Sequence, residues 1–308
     1  SPCNCPIPDD QVKENDEMVR MFRPCGYASD GSGLSAEYET RYTGLRISYR
    51  MAASSPAGAE TCGGAPCFTG RALSVDTCCQ IRTSRDLDPR LDAEFPGSIS
   101  YDSALVRAGA ALGRRREDSD VAIDGDPEAQ SAVRYVIYQL MANCSSRDPS
   151  VSIGARGLTH TRYKGCCFWD TEMFILPFFL LSDPEAARSL LSFRVRTLPQ
   201  AREHARKMNG TGARYPWMVS LDGSEQCESW DIGCSEVHVT ADIAYALDQY
   251  LDWTGDGGFF LGGGAAALIE TARFWPSRYS PAPDGGVNLL FCKGPDEYCG
   301  ITSNNLYT

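Results

Sequence analysis

The chain has 308 residues, 43% of them hydrophobic and 22% charged, which is the composition of a globular protein that can bury a core. Its formal net charge is −11, and an acidic surface of this kind argues against nucleic acid and anionic membrane surfaces as partners. The longest apolar run, Met173 to Leu181, is too short to cross a bilayer, so no membrane span is predicted.

The fourteen cysteines leave the cellular compartment open. Disulfides in a secreted protein are one interpretation, and glycosylation sequons at Asn143 and Asn209 suit it. The adjacent pairs Cys78-Cys79 and Cys166-Cys167 favour the other, a cytoplasmic protein with buried thiols, because neighbouring cysteines rarely bridge each other. No two cysteines have the C-x₂-C spacing of a zinc site and the three histidines lie far apart, so no metal site is expected.

Residues 1–100 predict a β-rich region, because they are rich in Gly, Ser, Pro and Cys and contain short alternating runs. Strands are predicted from Arg41 to Arg50 and from Ala72 to Ile81. Residues 101–125 are predicted to be a helical linker with a helix from Ser103 to Arg116.

Residues 126–308 predict helices joined by loops. Asp126 is an expected N-cap with Pro127 at the first helical position, and Asp183-Pro184-Glu185 repeats this start signal. Further helices are predicted over Thr240 to Trp253 and Ala265 to Trp275. Paired helices of this kind are typical of a ring or a solenoid.

Three loop segments combine aromatic residues with carboxylates. The first contains Phe168-Trp169-Asp170 and the third contains Pro295-Asp296-Glu297-Tyr298. The second runs from Tyr215-Pro216-Trp217 towards Thr240-Ala241-Asp242. Aromatic rings stack on the apolar faces of sugars and carboxylates accept hydrogen bonds from hydroxyl groups. Taken singly, each segment fits equally well a core tryptophan, a helix cap or a turn.

In their order and spacing, these segments resemble glycoside hydrolase family 65, which includes maltose, trehalose and kojibiose phosphorylases and acid trehalases. The resemblance runs from about Asp120 to Thr308 and, more weakly, over Tyr38 to Tyr49. It implies a mainly α fold, with a partial (α/α)₆ barrel over 126–308. A remnant of an N-terminal β-sandwich over 1–100 and the linker helix would precede this barrel.

The resemblance also implies the roles of residues in a sugar site. Trp169 and Asp170 would shape the glucose subsite, whereas Trp217 and Thr240 would line the acceptor side. Tyr298 belongs to the Pro-Asp-Glu-Tyr motif and is expected to contact substrate.

Glu297 is the general acid that the resemblance implies. The expected reaction is inverting phosphorolysis of an α-glucosyl disaccharide to β-glucose 1-phosphate and glucose, with Glu297 protonating the leaving oxygen. The partner is then a small saccharide, phosphate is the co-substrate, no other cofactor is needed, and a homodimer is the candidate assembly.

Two alternatives stay open at this point. One is a water-using α-glucosidase or acid trehalase of the same family, and the other is a truncated, non-catalytic carbohydrate-binding protein. The family usually has His at the position of Cys299 and Glu at the position of Met218, which leaves the identity of the acceptor open.

Twelve helices of ~11–12 residues need more chain than Asp126 to Thr308 provides, so about half of a ring is expected. The inner faces of the last helices, including Leu268, Ile269 and Phe274, are then expected to be exposed, packed on the N-terminal β-region or covered by another chain. Poor stability in isolation is the corresponding prediction.

Overall fold

The computed structural model describes residues 22–30, 33–41, 44–55, 60–62, 65–70, 74–86, 100–146, 148–157 and 162–308. The chain divides into two compact units, Ser1–Gly113 and Arg114–Thr308. Antiparallel strands and most of one helix form the described part of the first unit, and helices dominate the second. This helix-rich fold with an N-terminal antiparallel sheet agrees with the mainly α prediction.

The first unit contains a four-stranded antiparallel sheet and a separate two-stranded one. Its strands are β1 (Phe22–Asp30), β2 (Gly33–Thr40), β3 (Arg46–Ser54), β4 (Glu60–Cys62), β5 (Ala65–Cys67) and β6 (Asp76–Thr83). Four strands pair in the order β1-β2-β3-β6, and β4 pairs with β5 separately. Tyr38 lies opposite Ile47 and Tyr49 opposite Ile81, and aromatic residues facing β-branched ones stabilise paired strands.

The strand predicted from Arg41 begins later than expected, at Arg46 in β3. Residues 42–43 of that prediction lie outside the described residues. Before the strand, Thr40 accepts a hydrogen bond from the N–H of Leu45 through its hydroxyl oxygen at 2.8 Å. Gly44 has φ +64°, a conformation that glycine adopts without steric cost. Strand β6 likewise begins later than expected, at Asp76, and residues 72–73 of that prediction lie outside the described residues.

The other elements are α1 (Tyr101–Arg116), α2 (Pro127–Asn143), α3 (Leu176–Ser182), α4 (Pro184–Arg196), α5 (Leu198–Lys207), α6 (Trp230–Ser235), α7 (His238–Thr254), α8 (Gly257–Phe259), α9 (Ala265–Arg278), β7 (Tyr279–Pro281) and β8 (Val287–Leu289). Both predicted caps are present. Asp126 accepts the N–H groups of Glu128 and Ala129 at 3.1 and 2.9 Å, and Asp183 accepts that of Ala186 at 3.0 Å.

Helices α3, α4 and α7 contact one another around the main core of the second unit. Phe179, Leu191, Ile243 and Leu247 are fully or almost fully buried there. Burial of a side chain of this size contributes about 1.5–3 kcal/mol, so this cluster is a major source of the unit's stability. A π-helical turn, Thr171–Ile175, leads into α3 directly after the Trp169-Asp170 motif.

The exposure predicted for helix α9 is correct at one position and wrong at another. Ile269 is 51% exposed, and Leu268 packs partly buried against the main core. Phe274, in contrast, is fully buried, because Leu289 and Cys292, which follow the helix in the chain, cover it.

Among the described residues, no helix combines the length and apolar character needed to cross a membrane. Cys78 and Cys79 of one adjacent pair, and Cys167 of the other, form no disulfide within the part of the chain that the structure describes.

Candidate active site

Glu297 lies in a loop that is closed at its base. Cys292 and Thr302 exchange backbone hydrogen bonds at 2.9 and 2.8 Å. Within the loop, Lys293 is only 4% exposed, and its Nζ donates to the carbonyl oxygen of Glu297 at 2.9 Å and to Asp231 Oδ2 at 3.0 Å. The backbone of the predicted acid is therefore fixed by a buried lysine that is itself held by an ion pair.

The Glu297 carboxyl group is exposed to solvent, and its pKa is raised. Partial loss of hydration is the largest cause, and the Glu236 carboxylate is the next. Lys293 lowers the pKa, whereas Asp170 and Asp296 raise it further. A raised pKa favours the protonated form, which is the form a general acid must hold before reaction.

The structure brings the first predicted segment beside this loop. The half-buried Trp169 ring lies edge to face against the His238 ring, with centroids 4.9 Å apart, and 6.2 Å from the ring of Tyr307. Asp170 is exposed, and its carboxylate acts on Glu297 through its charge. Trp169, Asp170 and Glu297 thus share one region of the second unit.

The second predicted segment is more deeply buried. Trp217 is 8% exposed and packs against Phe168 with ring centroids 4.9 Å apart. The backbone N–H groups of Trp217 and Met218 donate to the Glu225 carboxylate at 2.7 and 3.0 Å. The indole N–H of Trp217 is buried and has no hydrogen-bond partner among the described residues.

Two predicted residues lie in contrasting surroundings. Thr240 is fully buried, and its hydroxyl oxygen accepts the N–H of Tyr215 at 3.1 Å, so it supports the backbone of the second segment. Tyr298 is 100% exposed. Direct substrate contacts by these two residues remain predictions.

Sequence reasoning missed a buried polar cluster at the start of helix α7. His238 Nδ1 lies 2.7 Å from Asp242 Oδ2, and Tyr307 donates its hydroxyl to Asp242 Oδ1 at 3.0 Å. His238 Nε2 lies 3.6 Å from Glu236 Oε2. The four-residue spacing of His238 and Asp242 on a helix was the available signal, but His238 was considered only as a metal ligand.

The charge state of His238 follows from these neighbours. Burial lowers the pKa of the imidazole, but the carboxylates of Asp242 and Glu236 outweigh it, so the pKa is raised above its usual value.

In the described part of the chain, no group of three or more His, Cys, Asp or Glu residues could hold a metal ion. The arrangement instead offers the exposed carboxylic acid of Glu297 and the exposed carboxylates of Asp170 and Asp296, which can accept hydrogen bonds from hydroxyl groups. The rings of Trp169 and Tyr307 form an aromatic wall beside them.

Comparison with known proteins gives a family match and several relatives. The family model for the glycosyl hydrolase family 65 central catalytic domain matches residues 134–308. A kojibiose phosphorylase from Caldanaerobacter subterraneus subsp. tengcongensis is 37% identical over 257 residues, which cover 77% of this chain and 33% of the relative. An alpha,alpha-trehalose phosphorylase from Thermoanaerobacter brockii is 38% identical over 194 residues, covering 62% of this chain and 25% of the relative.

A solved structure provisionally assigned as a kojibiose phosphorylase from the human microbiome has the same fold, with a TM-score of 0.77 and 24% identity. The match covers 92% of this chain and 40% of that structure. The chain therefore spans about a quarter to a third of the length of these curated relatives.

Proposed function

Because the chain belongs to glycosyl hydrolase family 65, we propose that it carries the acid catalyst of an enzyme that cleaves α-glucosidic bonds by inverting phosphorolysis. The substrate is an α-glucosyl disaccharide, and the products are β-glucose 1-phosphate and glucose. The proposal needs inorganic phosphate as co-substrate and no other cofactor.

One observation carries this proposal: the side chain of Glu297 reaches solvent on a loop whose backbone is fixed, and its surroundings favour the protonated acid. Lys293 holds the backbone of the loop without pairing with the carboxyl group of Glu297. The acid therefore remains free to donate its proton to a bound substrate. Relatives whose names state phosphorolysis of kojibiose or trehalose support the same reaction class.

The proposed chemistry is one displacement at the anomeric carbon. An oxygen of phosphate forms a bond to that carbon from the face opposite the leaving group, and the bond to the glycosidic oxygen breaks. Glu297 gives its proton to that oxygen, which leaves as the hydroxyl group of the second sugar. Attack from the opposite face inverts the α configuration to β.

Sugar binding is proposed for the residues around the acid. Trp169 supplies an aromatic surface and Asp170 a carboxylate for hydroxyl groups of the glucose that is transferred. Trp217 and Thr240 belong to the acceptor side, where Trp217 contributes its indole N–H and Thr240 acts through the backbone of Tyr215. Tyr298, fully exposed beside the acid, is available to contact either sugar.

The helical unit is proposed to be part of an (α/α)₆ ring around this site. Short connections join α3 to α4 and α4 to α5, as expected for helices packed next to one another. A second copy of the chain in a homodimer is the proposed assembly.

The test is product analysis with maltose, trehalose, kojibiose and nigerose, each with and without phosphate. Phosphorolysis predicts that consumption of one disaccharide requires phosphate and releases one sugar phosphate for each glucose. Release of two glucose molecules at a rate independent of phosphate would replace this proposal with the water-using glucosidase.

A further inference from the structure

Asp242 is a buried carboxylate to which the proposed reaction assigns no role. It lies on helix α7, it is only 5% exposed, and each of its oxygens has its own partner. Tyr307 donates its hydroxyl to Oδ1 at 3.0 Å, and Nδ1 of His238 lies 2.7 Å from Oδ2. Because a carboxylate only accepts hydrogen bonds, the histidine nitrogen is the donor in the second contact. One side chain therefore fixes the orientation of two rings.

Both of these rings contact Trp169. The indole lies edge to face against the His238 ring, with centroids 4.9 Å apart, and against the Tyr307 ring, with centroids 6.2 Å apart. The His238 and Tyr307 rings are also edge to face, at 5.3 Å. Edge-to-face contacts at such separations are favourable and directional, so the three rings form one packed cluster. The orientation of Trp169 therefore depends on rings that Asp242 holds.

The cluster is enclosed on one side and open on the other. His238 is 1% exposed, whereas Tyr307 is 48% exposed and Trp169 is half-buried. The surface that reaches solvent is therefore aromatic, and the polar groups that orient it lie behind it. A binding surface is precise when packing and hydrogen bonds of this kind fix its side chains before the ligand arrives.

The cluster joins segments that are distant in the chain. Tyr307 lies 65 residues after Asp242, in the segment that follows the loop of Glu297. Trp169 lies just before the π-helical turn Thr171–Ile175. No local pattern brings these side chains together, so the hydrogen bonds of Asp242 help to specify how the segments meet.

We propose that Asp242 is a positioning residue for sugar binding, which holds Tyr307 directly and Trp169 through His238 in the orientation that receives the transferred glucose. This inference rests on the proposed sugar-binding role of Trp169. Asp242 contacts no substrate in this account and exchanges no proton. Because a preorganised surface loses less conformational freedom on binding, loss of the hydrogen bonds should weaken sugar binding and leave the acid step unchanged.

Tyr307→Phe tests the proposal, because it removes the hydroxyl that Asp242 holds and keeps the ring. KM for the disaccharide should rise on the order of twofold to tenfold, the range for one aromatic contact, with kcat near wild type. Tyr250→Phe is the matched control, since Tyr250 on the same helix donates its hydroxyl to Asp256 at 2.9 Å. The control should leave KM unchanged, and an equal rise in the two variants would overturn the proposal.

Two variants of Asp242 separate its hydrogen bonds from its burial. Asp242→Leu removes both acceptors and should raise KM at least as much as Tyr307→Phe does. Asp242→Asn keeps an acceptor for Tyr307 and a polar group beside His238, so it should restore most of the lost affinity. Wild-type KM in a folded Asp242→Leu protein would contradict the proposal. If Asp242→Leu does not fold, the two tyrosine variants still decide.

Fluorine NMR of protein labelled with 5-fluorotryptophan follows Trp169 without activity, with Trp169→Phe assigning its signal. The signal should move in Tyr307→Phe and stay in place in Tyr250→Phe, and glucose should shift it at lower concentration in the wild type than in Tyr307→Phe. An unmoved signal with unchanged glucose affinity in Tyr307→Phe would overturn the proposal, as would a wild-type signal that glucose does not shift. If the wild-type protein forms no sugar phosphate, the proposed phosphorolysis fails, whereas this titration still decides the role of Asp242.

Discussion

Two buried pairs of charged residues in the helical unit differ in how completely the oxygens of their carboxylates are hydrogen-bonded. Arg194 and Glu172, fully buried, form a two-pronged pair at 2.7 and 2.8 Å, and Arg194 also donates to the carbonyl of Phe168 at 3.2 Å. Both oxygens of Glu172 are therefore used. Glu236 and His238 are equally buried but lie 3.6 Å apart, and neither oxygen of Glu236 accepts a hydrogen bond among the described residues.

The difference indicates different purposes. A carboxylate with both oxygens satisfied fixes the fold, since it links helix α4 to the π-helical turn behind the Phe168-Trp169-Asp170 motif. Neither oxygen of Glu236 is held by a hydrogen bond among the described residues, so this carboxylate links no two elements in that way. We therefore expect the two clusters to respond differently to substitution.

The largest expected effect on stability is at the Arg194–Glu172 pair, in which both carboxylate oxygens are satisfied. Arg194→Met leaves Glu172 buried without its partner, which should lower the free energy of unfolding by about 3–5 kcal/mol in urea denaturation. The alkaline limb of the pH dependence of kcat/KM, which the pKa of Glu297 sets, should not move. Arg206→Met, which breaks an exposed pair with Glu203, is the control and should change stability far less.

Replacing both members of the pair by apolar residues makes the same test more specific. Arg194→Met combined with Glu172→Met removes both charges and should be more stable than Arg194→Met alone. A loss below about 1 kcal/mol in the single variant, or a shifted pH limb, would remove the distinction between the two clusters.

The next effect concerns Thr240, a predicted substrate residue that the structure places in the core. Thr240→Val keeps the shape but leaves the N–H of Tyr215 without its acceptor, so stability should fall by about 1–3 kcal/mol. Thr271→Val on helix α9 is the matched control, because its buried hydroxyl donates to the carbonyl of Leu268 and its loss removes a donor rather than an acceptor. Unfolding curves for the two variants should differ clearly, and equal losses would contradict the structural role of Thr240.

The smallest effect is at the aromatic wall. Trp169→Ala should raise KM for the disaccharide roughly twofold to tenfold, since aromatic contacts of this kind are worth ~0.5–1.5 kcal/mol. Trp253, 63% exposed on helix α7, provides the control. If Trp253→Ala raises KM as much as Trp169→Ala does, Trp169 has no specific role in binding the sugar.

Local features of the fold were predictable, because they depend on neighbouring residues. Asp126 and Asp183 cap helices at the predicted positions, since a short acidic side chain reaches the next N–H groups wherever the chain allows. The start of strand β3 was not predictable in the same way. Alternating residues suit a strand, but the hydroxyl of Thr40 and the positive φ of Gly44 turn the chain first.

In the candidate site, too, features encoded in local motifs were predictable and features that depend on tertiary packing were not. Motif resemblance located Glu297, Trp169 and Asp170, which the structure brings together. It did not indicate the burial of Thr240, or that Lys293 would reach Asp231, 62 residues away in the chain, because those contacts depend on tertiary packing. The orphaned oxygens of Glu236 are likewise a property of packing that no local pattern encodes.

The central claim is that Glu297 donates the proton to the leaving oxygen, and Glu297→Gln tests it most directly with two substrates. Turnover of the natural disaccharide should fall by roughly 10²–10⁴-fold with KM little changed, because the amide cannot act as an acid. Turnover of α-glucosyl fluoride, whose leaving group needs no proton, should be largely retained. Near-wild-type turnover of the disaccharide, or an equal loss on both substrates, would contradict the assignment of Glu297 as the general acid.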